Sequence, residues 1–214
     1  MQRKIICIVV FVCVLLTGCQ GFGPARDYGA LSRKLLELED YTCDVKMRVT
    51  NNRSTMEYQL RHLYKSPDRY RLEVLAPEEL KGQVTIYNGK SSYIYHPGIN
   101  QYLVTEDFPG SVEYNSFIGS FMEYIKTTEK TKISSEKEGK KELYVLEFEI
   151  PESNSYMSVE RLWLDPEEAV PVRAEIYGSD GKKNIELYYY NFVCNPGLKD
   201  GDFEIKQNIL REMK

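Results

Sequence analysis

Histidine is scarce in this sequence: His62 and His96 are the only two imidazoles in 214 residues. His62 falls in an alternating apolar and polar run and His96 in a His-Pro-Gly turn, so neither has a base or a metal ligand at a workable spacing. Cys-x-x-Cys, Gly-x-Ser-x-Gly, His-Glu-x-x-His and phosphate-binding loops are all missing. The segment GSDGKKN, residues 178–184, begins like a calcium loop but lacks the later acidic ligands, and reads as a hairpin turn. These absences predict a protein that is not an enzyme and that needs no metal or cofactor. Excess positive charge is lacking too: 28 Lys and Arg stand against 32 Asp and Glu, with no basic stripe, which argues against nucleic acid as a partner. The longest apolar run, Ile5 to Leu16, is well short of the ~20 residues that span a bilayer.

That short run carries a meaning of its own. Arg3 and Lys4 precede it and Leu16-Thr17-Gly18-Cys19 closes it, the order of a basic head, an apolar segment and a small-residue cleavage site. The closing tetrapeptide resembles a bacterial lipobox. The resemblance implies that residues 1–18 are a lipoprotein signal peptide, and that Cys19 is acylated and becomes the first mature residue. Two or more acyl chains hold a protein on a membrane durably, at about 0.8 kcal/mol per buried methylene. An extracytoplasmic, lipid-anchored location on a bacterial membrane is therefore expected.

Two cysteines remain after Cys7, Cys13 and Cys19 are set aside. Cys43 lies in phase with Tyr41, Val45, Met47 and Val49, an apolar face. Cys194 lies in phase with Glu186, Tyr188 and Tyr190, a more polar one. The phases oppose a disulfide, although the expected compartment permits one.

Residues 19–26, with two glycines and a proline, read as a tether, and residues 27–214 as a single domain. Tyr28, Leu31, Leu35 and Leu38 share one helical face, which predicts a short amphipathic helix over 28–39. From Tyr41 the period changes to two. Strand-like runs follow one another, punctuated by Pro67-Asp68, Asn88-Gly89 and Pro97-Gly98. After Pro109-Gly110 a helical period returns and places Tyr114, Phe117, Ile118, Phe121, Met122 and Ile125 on one face, predicting a second helix over 111–126. Gly119 inside it costs helix propensity. Strands then resume to the end, with 17 tyrosines suited to half-buried strand faces. The fold class is α+β: about eleven strands in a curved antiparallel sheet with two helices on one face.

The segment PDRYRLEVLAPEELKGQVTIYNGKSSYIYHPGINQYLV, residues 67–104, resembles the LolA/LolB-like lipoprotein-sorting domains. So do RLWLDPEEAVPVRAEIYGSDGKK, residues 161–183, and the closing NPGLKDGDFEI. That resemblance implies a half-barrel capped by two helices around an apolar concavity, which in the sorting proteins takes lipoprotein acyl chains. Tyr114, Phe117, Ile118, Phe121, Met122 and Ile125 would then line the cavity or its lid. The lipobox and the NGKSSYIYHPG region are also similar to the GerS-type germination lipoproteins of spore-forming clostridia. This narrower resemblance implies a non-enzymatic partner that binds and activates a cell-wall amidase of the spore cortex. The two implications differ in what fills the concavity: the chain's own aromatics in a protein-binding module, empty space in an acyl-chain carrier.

Overall fold

The structure, a computed structural model, describes residues 25–105, 108–127, 131–151 and 153–204. The expected signal peptide and most of the expected tether, Cys19 included, lie outside the described residues. Helix α1 (Ala25–Leu36) leads into β1 (Asp40–Thr50), β2 (Thr55–Lys65), β3 (Arg69–Ala76), β4 (Val84–Asn88), β5 (Ser92–His96) and β6 (Gln101–Thr105). Helices α2 (Val112–Asn115) and α3 (Ile118–Thr127) follow. Then come β7 (Lys132–Glu138), β8 (Lys141–Glu149), β9 (Val159–Asp165), β10 (Val170–Tyr177) and β11 (Lys183–Cys194).

The eleven strands of the described residues join one antiparallel sheet, in the order β6-β5-β4-β3-β2-β1-β11-β10-β9-β8-β7. Two meanders, β1–β6 and β7–β11, are welded where the first strand pairs with the last: Val45 sits opposite Tyr189 and Met47 opposite Leu187. The connection from β6 to β7 must therefore run from one edge of the sheet to the other. α2 and α3 make that journey across the inner face.

Strand alternation decides which side chains meet them. The inner face carries Tyr41, Cys43, Val45 and Met47 of β1, His62 and Tyr64 of β2, Tyr70 and Leu72 of β3, and Leu187 and Tyr189 of β11, all buried. Leu31, Leu35 and Leu38 of the α1 region belong to the same apolar cluster. The outer face is mostly charged. Arg48 bridges Glu57 and Glu186, Lys183 bridges Glu175 and Glu186, and Arg161 pairs with Glu147. A small second cluster of Leu143, Val145 and Trp163 sits there too, with the Arg173 guanidinium 4.0 Å above the Trp163 ring.

Two expectations change in detail. The first helix begins three residues earlier than its apolar spacing suggests and ends at Leu36, leaving Leu38 buried in the turn before β1. The second is two helices, broken at Ser116 and Phe117. The strand phase of Cys194 also differs. The β1–β11 register shifts between Thr42 and Asp44, Asn191 adopts a φ of 52°, and beyond it Cys194 pairs with Tyr41. Both thiols of the described residues are nonetheless free, Cys43 buried and Cys194 exposed.

Candidate functional site

The lid over the inner face is built from its break outward. Ser111 caps α2, its hydroxyl accepting the Tyr114 N–H at 3.0 Å, while the Asn115 side chain donates to the Ser111 carbonyl at 2.8 Å. The Ser116 hydroxyl turns back to the Glu113 carbonyl at 2.6 Å, which ends the first piece. The sheet then holds both sides of the break. Tyr189 donates its hydroxyl to the Ser116 carbonyl at 2.9 Å, and the Tyr41 hydroxyl accepts the Ile118 N–H at 2.9 Å. These two tyrosines satisfy backbone groups that a broken helix leaves open, inside a buried core where an orphan group costs about 1–3 kcal/mol.

Aromatic packing continues the attachment. Phe117 stacks on the His62 ring at 4.1 Å between centroids, and meets Tyr70 edge-on at 5.0 Å. Phe121 meets Phe148 of β8 edge-on at 4.8 Å. Tyr41, Tyr64 and Tyr70 form a row across β1, β2 and β3, with neighbouring centroids 5.2 Å apart at both steps. Tyr124 donates to the side-chain oxygen of the buried Asn115 at 2.9 Å. Gly119 sits directly over Tyr64: a Cβ there would lie 2.3 Å from the ring. Its role is close approach of helix to sheet, where the sequence suggested only a propensity cost.

Of the residues singled out from the sequence, Tyr114, Phe117, Ile118, Phe121 and Met122 are all buried, and Ile125 is partly buried against the same cluster. They are brought together, and the space under them is occupied by aromatics of the sheet. A groove of about 330 Å³ remains beside the lid, lined among others by Met47, Leu60, Leu72, Val74, Val112 and Glu113. That is the low end of the range for small-molecule pockets.

A carboxyl and an imidazole are among the buried titratable groups of the inner face; the sequence analysis weighed the imidazole of His62 and passed over the carboxyl of Glu160. Glu160 of β9 pairs with Phe148 and Ile176 and is buried; one carboxyl oxygen has no hydrogen-bond partner among the described residues. Burial holds its carboxyl protonated well above the usual carboxylate range. The signal was available, because Glu160 falls in phase with Leu162 and Leu164. Burial pushes His62 down to about 3, so its imidazole is neutral. Burial also pushes the Tyr64 hydroxyl up to about 12. Groups so displaced toward their neutral forms are what a dry aromatic core requires. Among the described residues no group of three or more His, Cys, Asp or Glu side chains is placed to hold a metal ion, and no helix is long and apolar enough to cross a membrane.

A family profile described as sporulation protein YdcC-like matches residues 1–203. No curated protein matches the sequence. Among solved structures, the chain is similar to an uncharacterized conserved protein from Thermus thermophilus, with a TM-score of 0.54, 15% identity, and 85% of this chain and 93% of that one covered. It is also similar to the LolA superfamily protein NE2245 from Nitrosomonas europaea, with a TM-score of 0.46, 16% identity, and 83% and 97% covered. A further similarity is to a chain in the structure of the CwlD amidase from Clostridioides difficile in complex with the GerS lipoprotein, with a TM-score of 0.44, 24% identity, and 84% and 97% covered.

Proposed function

The chain belongs to the YdcC-like sporulation protein family, and on that premise we propose that it is a membrane-anchored, non-enzymatic lipoprotein that works by binding a protein partner. The observation that carries this reading is the occupied inner face: Phe117, Phe121, Tyr41, Tyr64 and Tyr70 fill it, and Tyr41 and Tyr189 bolt the broken helix down. Opening such a lid to admit an acyl chain breaks two buried hydrogen bonds and uncovers several aromatic rings, each worth about 1.5–3 kcal/mol when buried. A rigid, closed domain on a membrane tether suits recognition by its outer surface. Cys19 supplies the anchor on the extracytoplasmic side. The similarity of the lipobox and the NGKSSYIYHPG region to GerS-type lipoproteins favours a cell-wall amidase of the spore cortex as the partner, activated by contact.

The groove beside the lid supports a second reading, an acceptor or carrier of lipoprotein acyl chains. One experiment separates the two. The full chain is recovered from its own membranes with its bound partners, and proteins and lipids are both identified, while the purified protein is titrated with a fluorescent fatty acid. Co-recovery of an amidase with no saturable fatty-acid uptake supports partner binding. Saturable uptake competed by a lipopeptide, with no protein recovered, overturns it in favour of the carrier. A Cys19→Ala variant should leave the membrane fraction or remain unprocessed; normal processing with full membrane retention would remove the anchor from the proposal.

A further inference from the structure

The outer face of the sheet is a field of ion pairs, and at one place the pairing stops. Among the strand arginines, Arg48, Arg61, Arg69, Arg161 and Arg173 each stand within 4.0 Å of a carboxylate. Arg71 of β3 is only partly exposed, yet among the described residues its guanidinium makes no ion pair or hydrogen bond. It stands on the outer face between Leu63 and Ile86, its cross-strand neighbours, in a groove of about 490 Å³ that Val84, Ile86, Tyr95 and Tyr102 also line. That volume lies within the range of small-molecule pockets. The Tyr95 and Tyr102 rings are 5.0 Å apart between centroids and form an aromatic wall. Burial raises the Tyr102 hydroxyl and the Arg71 charge lowers it, so the phenol and the guanidinium feel one another across the groove.

Another wall is the closing segment of the domain. Asp200 takes Lys65 at 2.7 Å and Arg69 at 2.9 Å, Phe203 is buried, and the 3-10 turn Asp200–Phe203 packs against β3 and β4. These contacts hold Asp202 and Glu204 along the groove. The Asp202 carboxylate accepts the Lys199 N–H at 2.8 Å, and Glu204 has no ion pair among the described residues. Neither acid comes within 4.0 Å of Arg71. A cation and an anion thus share one groove and leave each other unmatched.

We propose that this groove is a binding site for a short peptide with both ends free. Arg71 and the Tyr102 hydroxyl donate to its carboxylate, Glu204 accepts from its ammonium group, and an apolar side chain lies against Ile86 and the two tyrosine rings. Ligands of one charge fit less well. A simple anion meets Asp202 and Glu204, a simple cation meets Arg71, and an uncharged apolar chain leaves all three unmatched. The groove lies on the face of the sheet opposite the lid, so the proposal is independent of the partner-binding reading.

The full chain in mild non-ionic detergent is titrated calorimetrically with the dipeptide phenylalanyl-alanine, with its C-terminal amide and with its N-acetyl form. The free dipeptide should bind saturably at one site, and each blocked form should bind at least about tenfold more weakly. Arg71→Gln should melt like wild type, since Arg71 has no partner to lose, and should take the free dipeptide and its amide equally. Glu204→Gln should likewise lose the preference for the free amine over the N-acetyl form while keeping the preference for the carboxylate. No saturable uptake of the free dipeptide by the wild type, equal binding of all three forms, or an Arg71→Gln variant that still prefers the carboxylate would each overturn the proposal. Loss of a co-recovered protein partner in Arg71→Gln, with a wild type that takes no dipeptide, would assign the groove to that partner instead and overturn it as well.

Discussion

Tyr41 and Ile118 stand 77 positions apart in the chain, and the hydroxyl of the first accepts the backbone N–H of the second at 2.9 Å inside the core. A single oxygen on the first strand thereby starts the helix that crosses the sheet. Tyr41→Phe keeps the ring and removes the acceptor, leaving a buried N–H without a partner. The expected loss is about 1–3 kcal/mol in urea unfolding, with amide exchange accelerated first in residues 118–122. Tyr189→Phe should cost a similar amount at the Ser116 carbonyl, and the double variant less than the sum, because both bonds hold one break. Full additivity with no local change in exchange would show that the two hydroxyls do not act as one clamp.

Gly119→Ala separates helix propensity from packing. In an exposed helix the change stabilises by about 1 kcal/mol. Here the added methyl meets the Tyr64 ring, and the variant should instead lose about 1–3 kcal/mol by forcing the lid outward. A partial rescue by Tyr64→Leu, measured in the same denaturation series, is the companion expectation. A rise in melting temperature for Gly119→Ala alone would contradict the close contact.

Stability should vary with pH through two inner-face groups of opposite sign. Burial raises Glu160 well above its ordinary value of 4.5, so the folded state keeps a proton that the unfolded state gives up, and stability falls as pH rises past 4.5 until the raised pKa is reached. His62 is lowered from 6.5 to about 3, so the unfolded state gains a proton that the folded state refuses, and stability falls as pH drops from 6.5 toward 3. Each slope is at most about 1.4 kcal/mol per pH unit, and the two oppose one another where they overlap, above pH 4.5 and below 6.5. Above 6.5 the His62 contribution no longer changes with pH. Glu160→Gln should remove the fall in the urea midpoint that the Glu160 carboxyl causes as pH rises past 4.5. Parallel curves for the two proteins would refute the assignment.

The two thiols should behave unlike each other. Cys194 is exposed and should react with a thiol reagent in the native protein. Cys43 is buried, burial raises its pKa, and it should react only on unfolding. Mass spectrometry after alkylation, with and without denaturant, counts both. Melting should be the same with and without reductant, and a large drop in reductant would mean that the cysteines pair.

Much of this fold is legible locally. Asn88-Gly89 closes the β4–β5 hairpin with Gly89 at a φ of 87°, and Asp180-Gly181 turns β10 into β11, both at the positions where alternating runs stop. Alternation likewise places Tyr41, Val45 and Met47 on the inner face. What escapes is set by distant partners. Helical spacing runs unbroken through Ser116 and Phe117, and the break is held by Tyr41 and Tyr189, which no local pattern connects to it. The phase of Cys194 is inverted by the irregularity at Asn191, one residue that shifts everything after it. Gly119 reads as a weakness until Tyr64 is placed above it.

The pairing of β1 with β11 has a consequence for how the protein is made. The first strand emerges early from any vectorial synthesis or secretion, finds β2 at once, and then holds one open edge while more than a hundred further residues arrive. Such a long closure raises contact order and slows folding. The middle of the sheet is consequently the last seam to be sewn, and a chain cut short anywhere before Lys183 is left with its central strand bare, as a template for aggregation.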